Sequence, residues 1–176
     1  PNEPSQDPGS KPPARTSPLQ VVLDDLTGVN ILFDASHGSS GDIYYWSTIV
    51  ADVRSRGAIV TVNYSGFTDA LLSNVDIVWL IDHPYSWTPA EITALHNWLM
   101  AGGGLLLEAD QTVDIFNTIL ISLGAGITYT SQSSAPGATT TIFPHETTVG
   151  VNSIYNENPL ARLSTVAAPA SVLVRD

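Results

Sequence analysis

The sequence predicts an α/β fold: a doubly wound, mostly parallel sheet flanked by helices, with short extra strands in its C-terminal part. Three observations predict it. Short apolar runs at residues 30–33, 58–62, 75–81 and 105–107 alternate with stretches whose apolar residues recur at helical spacing. Strands alternating with helices imply right-handed crossovers and therefore parallel pairing. The first, third and fourth runs end on acidic residues, Asp34, Asp82 and Glu108, at the edge where such sheets bind ligands.

Residues 1–18 hold six prolines and read as a linker or an extended arm, because such a segment buries too little apolar surface to offset its ordering entropy. Residues 19–176 are long enough for a single domain with a full core. Leu19, Val21 and Leu23 alternate like an edge strand over residues 19–26. The strand at 30–33 leads into a helix over about residues 42–56. There Ile43, Trp46, Ile49, Val50 and Val53 share one face, Ser40 can cap the start, and Gly57 suits the finish. A second strand over 58–62 and a short helix over 68–72 follow. Residues 75–81 are largely apolar, as expected of a strand buried on both faces.

Thr88-Pro89-Ala90-Glu91 reads as a capping box with proline at the first helical position. Its helix turns Ile92, Leu95, Trp98 and Leu99 inward and ends at Gly102-Gly103-Gly104. After a fourth strand, a helix over 112–123 turns Val113, Phe116, Ile119 and Leu120 inward, and residues 127–130 form a fifth strand. Beyond Ser131 the pattern is one of short strands and loops, closing with a strand over 171–174.

The formal charge is −11, with Lys11 and five arginines as the only cations. Such a surface repels phosphate backbones and argues against nucleic acid as a partner. No apolar run reaches membrane-spanning length, so no membrane insertion is expected. The absence of cysteine removes disulfides, thiolate metal sites and cysteine nucleophiles together. Low lysine and the Pro-rich leader fit an exported, extracellular or cell-surface protein that is a piece of something longer.

The strand ends gather the candidate site residues: Asp34, Ser36, His37 and Gly38 after the first strand, then Asp82 and His83 after the third. Glu108 and Asp110 follow the fourth, and His145 comes from the later irregular segment. Ligand-binding residues are expected among these. His37, His83, Asp34 and Asp110 are the ligands if a divalent metal is bound; Asp34, Asp82 and Asp110 equally suit loop and helix-start caps. Residues 36–41 form a Gly/Ser loop before a helix, where backbone N–H groups favour a phosphate or a flavin, with Tyr85 and Trp87 available to stack. Ser36 and His37 are adjacent. On an extended segment their side chains point to opposite sides, which argues against a nucleophile–base pair. Asn63-Tyr64-Ser65 matches a glycosylation acceptor at Asn63.

Taken together, residues 31–38 (ILFDASHG), 53–60 (VRSRGAIV), 75–80 (VDIVWL) and the capped helix running into Gly102-Gly103-Gly104-Leu105-Leu106-Leu107 resemble the class I glutamine amidotransferase-like fold, a flavodoxin-like arrangement. The resemblance is to its non-enzymatic branch, found in intraflagellar-transport, gliding-motility and uncharacterised exported proteins. Residues 145–151 (HETTVGV) resemble that branch's His-Pro-x-Thr-x-Gly-Val stretch, with Glu146 in place of proline. True amidotransferases carry a cysteine in the turn after the fourth strand; this chain has Glu108-Ala109-Asp110-Gln111 there. A late His-Glu pair, His145-Glu146, has no nucleophile to serve.

The resemblance therefore implies a non-catalytic structural or interaction module without a cofactor. The expected partner is a protein, or a second copy through the N-terminal arm, with a glycan at the crevice as a further candidate. The alternative is a metal-dependent hydrolase or sugar-processing enzyme using the His/Asp cluster.

Overall fold

The computed structural model describes residues 25–38, 43–81, 85–108, 113–133, 137–145, 148–156 and 161–175. The leader, most of the edge strand expected over 19–26, the loop at 39–42, and Asp82, His83, Asp110 and Glu146 lie outside the described residues.

Four strands, β1 (Asn30–Asp34), β2 (Ile59–Asn63), β3 (Ile77–Ile81) and β4 (Gly104–Glu108), form one parallel sheet in the order β2-β1-β3-β4. In register, Ile31 pairs with Val60 on one side and Ile77 on the other, and Ile77 pairs with Gly104. Successive side chains on a strand face opposite ways, and both faces here are apolar. Leu32, Val78 and Leu80 face one core with Leu72, Leu95, Trp98, Phe116 and Ile119. These come from α2 (Asp69–Leu72), α3 (Pro89–Met100) and α4 (Val113–Ser122). Ile31, Phe33, Val60, Trp79 and Ile81 face the other core with Val50 of α1 (Ser47–Ser55). Helices on both faces make the sheet doubly wound. Phe33 and Phe116 are wholly buried, and each contributes roughly 1.5–3 kcal/mol by leaving water.

The first helix departs from expectation. Its opening turn, Ile43–Trp46, is a 3₁₀ helix, and the α-helix begins only at Ser47. The tighter turn sets Trp46 edge-on against Trp79 (centroids 5.6 Å apart) and leaves Ile49, expected inward, 46% exposed. The capping box forms as read: the Thr88 side chain accepts from the Glu91 N–H, and the Glu91 carboxylate accepts from the Thr88 N–H.

The fifth strand also differs. β5 (Ile127–Ser133) is not part of the parallel sheet but pairs antiparallel with β9 (Ala161–Val166). Gly126, at φ 72°, permits this, since a side chain there would collide with the Ala167 carbonyl. The remaining short strands pair antiparallel, β6 (Gly137–Thr139) with β8 (Ile154–Asn156) and β7 (Thr141–Ile142) with β10 (Val174–Arg175). Among the described residues no helix is long and apolar enough to cross a membrane.

Candidate functional site

The carboxyl ends of β1 and β2 and the start of α3 converge on one buried imidazole. β1 ends at Asp34, which is fully buried and caps the turn that follows: its Oδ1 accepts from the Ser36 N–H (3.1 Å) and hydroxyl (2.7 Å). β2 ends at Asn63, 5% exposed, whose amide donates to the same Oδ1 at 2.9 Å. His37, 8% exposed, lies with Nδ1 3.0 Å from Asp34 Oδ2 and Nε2 3.0 Å from Glu91 Oε1. The Phe67 ring stacks over the imidazole at 6.0 Å, and the Trp87 indole N–H donates to Nδ1 at 2.8 Å.

One imidazole nitrogen thus faces three polar neighbours: Asp34 Oδ2, Trp87 Nε1 and, at 2.7 Å, Ser36 Oγ. Nδ1 carries either a lone pair or a proton, so it cannot serve all three at once. The Trp87 N–H requires the lone pair, which leaves the proton on Nε2 to be donated to Glu91. A second proton, on Nδ1, would go to Asp34 and displace the indole bond. With the lone pair on Nδ1, the Trp87 N–H, the Ser36 hydroxyl and the Asn63 amide all find acceptors inside the cluster, as buried polar groups must.

Glu91 is the hub on the helix side. Oε2 accepts from the Thr88 N–H (2.8 Å) and hydroxyl (2.7 Å), and Oε1 accepts from the Phe67 N–H (3.2 Å) besides facing His37. Burial pushes its carboxyl upward. The Thr88 hydrogen bonds, the electrostatic pull of His37 and the Phe67 hydrogen bond outweigh that, and the net pKa lies below the ordinary glutamate value.

The close contact of Ser36 with His37 corrects the expectation that they diverge: the segment turns at Ser36–His37 instead of staying extended. The geometry still does not make a working nucleophile–base pair. The serine hydroxyl donates to Asp34, and the Nδ1 lone pair that would take its proton receives the Trp87 N–H. Asn63, expected as a glycan acceptor, is one of the buried groups. Its Nδ2, where a sugar would attach, is buried and bonded to Asp34 Oδ1 and the Ser65 carbonyl.

The structure therefore brings Asp34, Ser36 and His37 together, with Gly38 next in the turn at φ 71°. Glu108 ends β4, two strands from β1. His145 is exposed after β7, its N–H donating to Thr148 Oγ1 at 2.9 Å. Asp82, His83 and Asp110 lie outside the described residues. Among the described residues, no group of three or more His, Cys, Asp or Glu side chains could hold a metal ion. Asp34 and His37 spend their ligand atoms on each other and on neighbouring side chains. Sequence reasoning missed Glu91 and Asn63 as members of the cluster. The capping box disclosed where Glu91 sits but not that its second oxygen reaches His37.

Four exposed tyrosines lie in the segments that follow the first three sheet strands. Tyr44, Tyr45, Tyr64 and Tyr85 are 78%, 83%, 75% and 66% exposed, and they follow the carboxyl ends of β1, β2 and β3. A cleft of about 430 Å³ lies at the opposite sheet edge, lined by Asp76, Trp98 and Gly103 among others.

The architecture is shared with a solved structure, the "mmIFT52 N-terminal domain". The match has a TM-score of 0.67 at 17% identity and covers 82% of this chain and 72% of that one. At that identity the likeness is one of fold. No curated protein matches. Residues 46–175 match the family described as "Domain of unknown function (DUF4350)", and the chain belongs to that family.

Proposed function

We propose that this domain is a non-catalytic interaction module of the amidotransferase-like type within an exported protein, presenting its strand-end rim to a protein partner. The observation that carries the reading is the division of the strand-end edge. The polar groups at its centre (Asp34, His37, Asn63 and Glu91) are buried and mutually bonded, while Tyr44, Tyr45, Tyr64 and Tyr85, in the segments that follow β1, β2 and β3, are exposed. Exposed tyrosine is typical of recognition surfaces, because it supplies contact area and a hydroxyl at low entropy cost. The fold shared with the mmIFT52 domain and the lack of cysteine at the elbow support the same reading. The low-lysine, Pro-rich composition supports export.

The competing reading is a hydrolase that uses His37 and Asp34, with a metal completed by His83 and Asp110 or with Ser36 as nucleophile. The 2.7 Å contact between Ser36 and His37 is what favours it. Incubation with a fluorophosphonate probe, followed by mass spectrometry and elemental analysis of the purified chain, separates the two. The module reading expects an unlabelled Ser36, sub-stoichiometric metal and a melting temperature indifferent to chelator. Stoichiometric labelling of Ser36 or retained metal contradicts it.

A further inference from the structure

The two outermost strands of the parallel sheet, β2 and β4, are finished differently. On β2, the Ile59 N–H donates to the Val29 carbonyl, so alternation turns the backbone of Val60 outward. The Arg54 guanidinium caps that outward carbonyl at 2.8 Å, and a charged side chain on an edge discourages a further strand from adding. On β4, the Gly104 N–H donates to the Asp76 carbonyl at 2.9 Å, so the N–H and C=O groups of Leu105 and Leu107 face outward. Among the described residues nothing bonds to those groups, and β5, the next strand in the chain, pairs with β9 instead. The centre of this edge is Leu106, in register with Trp79 and 51% exposed. An open strand edge with an apolar, uncharged centre is a template for another strand.

The sequence of β4, Gly-Leu-Leu-Leu-Glu, indicates which strand. Laid antiparallel on a second copy of itself with Leu106 at the centre, Leu106 faces Leu106 and Leu105 faces Leu107 on each side. Opposed residues in an antiparallel pair alternately exchange both N–H···O bonds or none. Here the bonding pairs are Leu105 with Leu107, whose groups point outward on both copies. The non-bonding pair is Leu106 with itself, where side chains approach most closely. At the ends Glu108 falls opposite Gly104, so no two acids meet, which matters in a chain of net charge −11. A closed two-fold dimer requires a self-complementary contact of this kind.

We propose that β4 pairs antiparallel with the β4 of a second copy about a two-fold axis at Leu106, joining two four-stranded sheets into one. This contact uses the flank of the sheet, not the strand-end rim, and so goes beyond the interaction-module reading. A single strand pair is small beside the roughly 1,200–2,000 Å² of stable interfaces, so the dimer is weak and concentration-dependent.

Sedimentation equilibrium of the full chain over a concentration series tests it, with Leu106→Lys and Leu106→Glu as variants at a half-exposed position. Wild type should show a monomer–dimer equilibrium. Each variant alone sets like charges face to face and loses the leucine contact, and should weaken dimerisation by about tenfold. Because residue 106 meets itself, an equimolar mixture of the two variants should regain dimerisation as a heterodimer. In wild type, hydrogen exchange at the Leu105 and Leu107 amides should slow as concentration rises, whereas the Leu106 amide, turned toward β3, should not change. The exchange measurement needs no variant and decides alone if a substitution disturbs the fold. A wild type that stays monomeric to about 1 mM overturns the proposal and leaves the module reading standing. Variants that dimerise as wild type does, a mixture that fails to recover, or exchange at Leu105 and Leu107 that ignores concentration also overturn it. Serine labelling or retained metal would remove the module reading without touching this result.

Discussion

Replacing Glu91 with glutamine changes one atom and removes one charge, at the point where the helix cap and the imidazole cluster meet. The wild-type carboxylate offers two oxygens to four neighbours: the Thr88 N–H and hydroxyl on Oε2, the Phe67 N–H and His37 Nε2 on Oε1. Glutamine keeps one acceptor oxygen and turns an NH₂ group toward the other pair of donors. Each buried donor left unsatisfied costs about 1–3 kcal/mol. Glutamine at this position still supports a capping box, which holds the total to about 2–4 kcal/mol. For a domain of this size that lowers the melting temperature by about 5–15 °C. Urea unfolding and thermal melts at neutral pH measure it. A loss below about 0.5 kcal/mol, the range of ordinary surface substitutions, would refute the reasoning.

The same variant has a pH signature. The Glu91 carboxyl is held below its ordinary value, burial opposing and the Thr88, His37 and Phe67 interactions prevailing. Its stabilisation is therefore fully present above the unfolded glutamate pKa of about 4.3, and it is lost as pH falls through the lowered folded value. The gap between wild type and Glu91→Gln should accordingly narrow in acid.

Two further substitutions follow from close approaches. Gly103→Ala would place a methyl group inside the Trp98 ring, whose N–H is anchored to the Val75 carbonyl at 2.8 Å; a loss of about 2–3 kcal/mol with altered tryptophan fluorescence is expected in chemical denaturation. Asn63→Asp would set a second carboxylate where an amide now donates to Asp34 Oδ1 at 2.9 Å. A loss of about 3–5 kcal/mol at neutral pH, partly recovered in mild acid, is expected from melts across pH.

The parallel sheet was legible because its strands are buried on both faces and therefore read as continuous apolar runs, Ile31-Leu32-Phe33 and Ile77–Ile81 being the clearest. The start of α3 was legible because Thr88, Pro89 and Glu91 act locally, each on backbone within one turn. What was not legible depends on partners distant in sequence. Alternation in Ile127-Thr128-Tyr129-Thr130 announces a strand but not its neighbour, and β9 lies more than thirty residues on. Over a single turn, 3₁₀ and α spacings are indistinguishable, which hid the tight entry at Ile43–Trp46. At the site, Asp34 and His37 were found by their position after β1. Their meaning was not, because the groups that close the cluster come from two other segments, Asn63 from the end of β2 and Trp87 and Glu91 from the start of α3. Ser36 and His37 were expected to diverge on an extended segment, and a turn brought them together instead.

The account turns on whether the polar cluster beyond β1 is an internal clasp joining the first strand to α3. A double-mutant cycle on His37→Gln and Glu91→Gln, read by urea unfolding of the full chain, addresses this most directly. The 3.0 Å contact between His37 Nε2 and Glu91 Oε1 predicts a coupling energy of about 1–3 kcal/mol, the double variant losing less than the two singles together. Losses that add to within about 0.5 kcal/mol would contradict the clasp and return His37 to the residues available for a ligand.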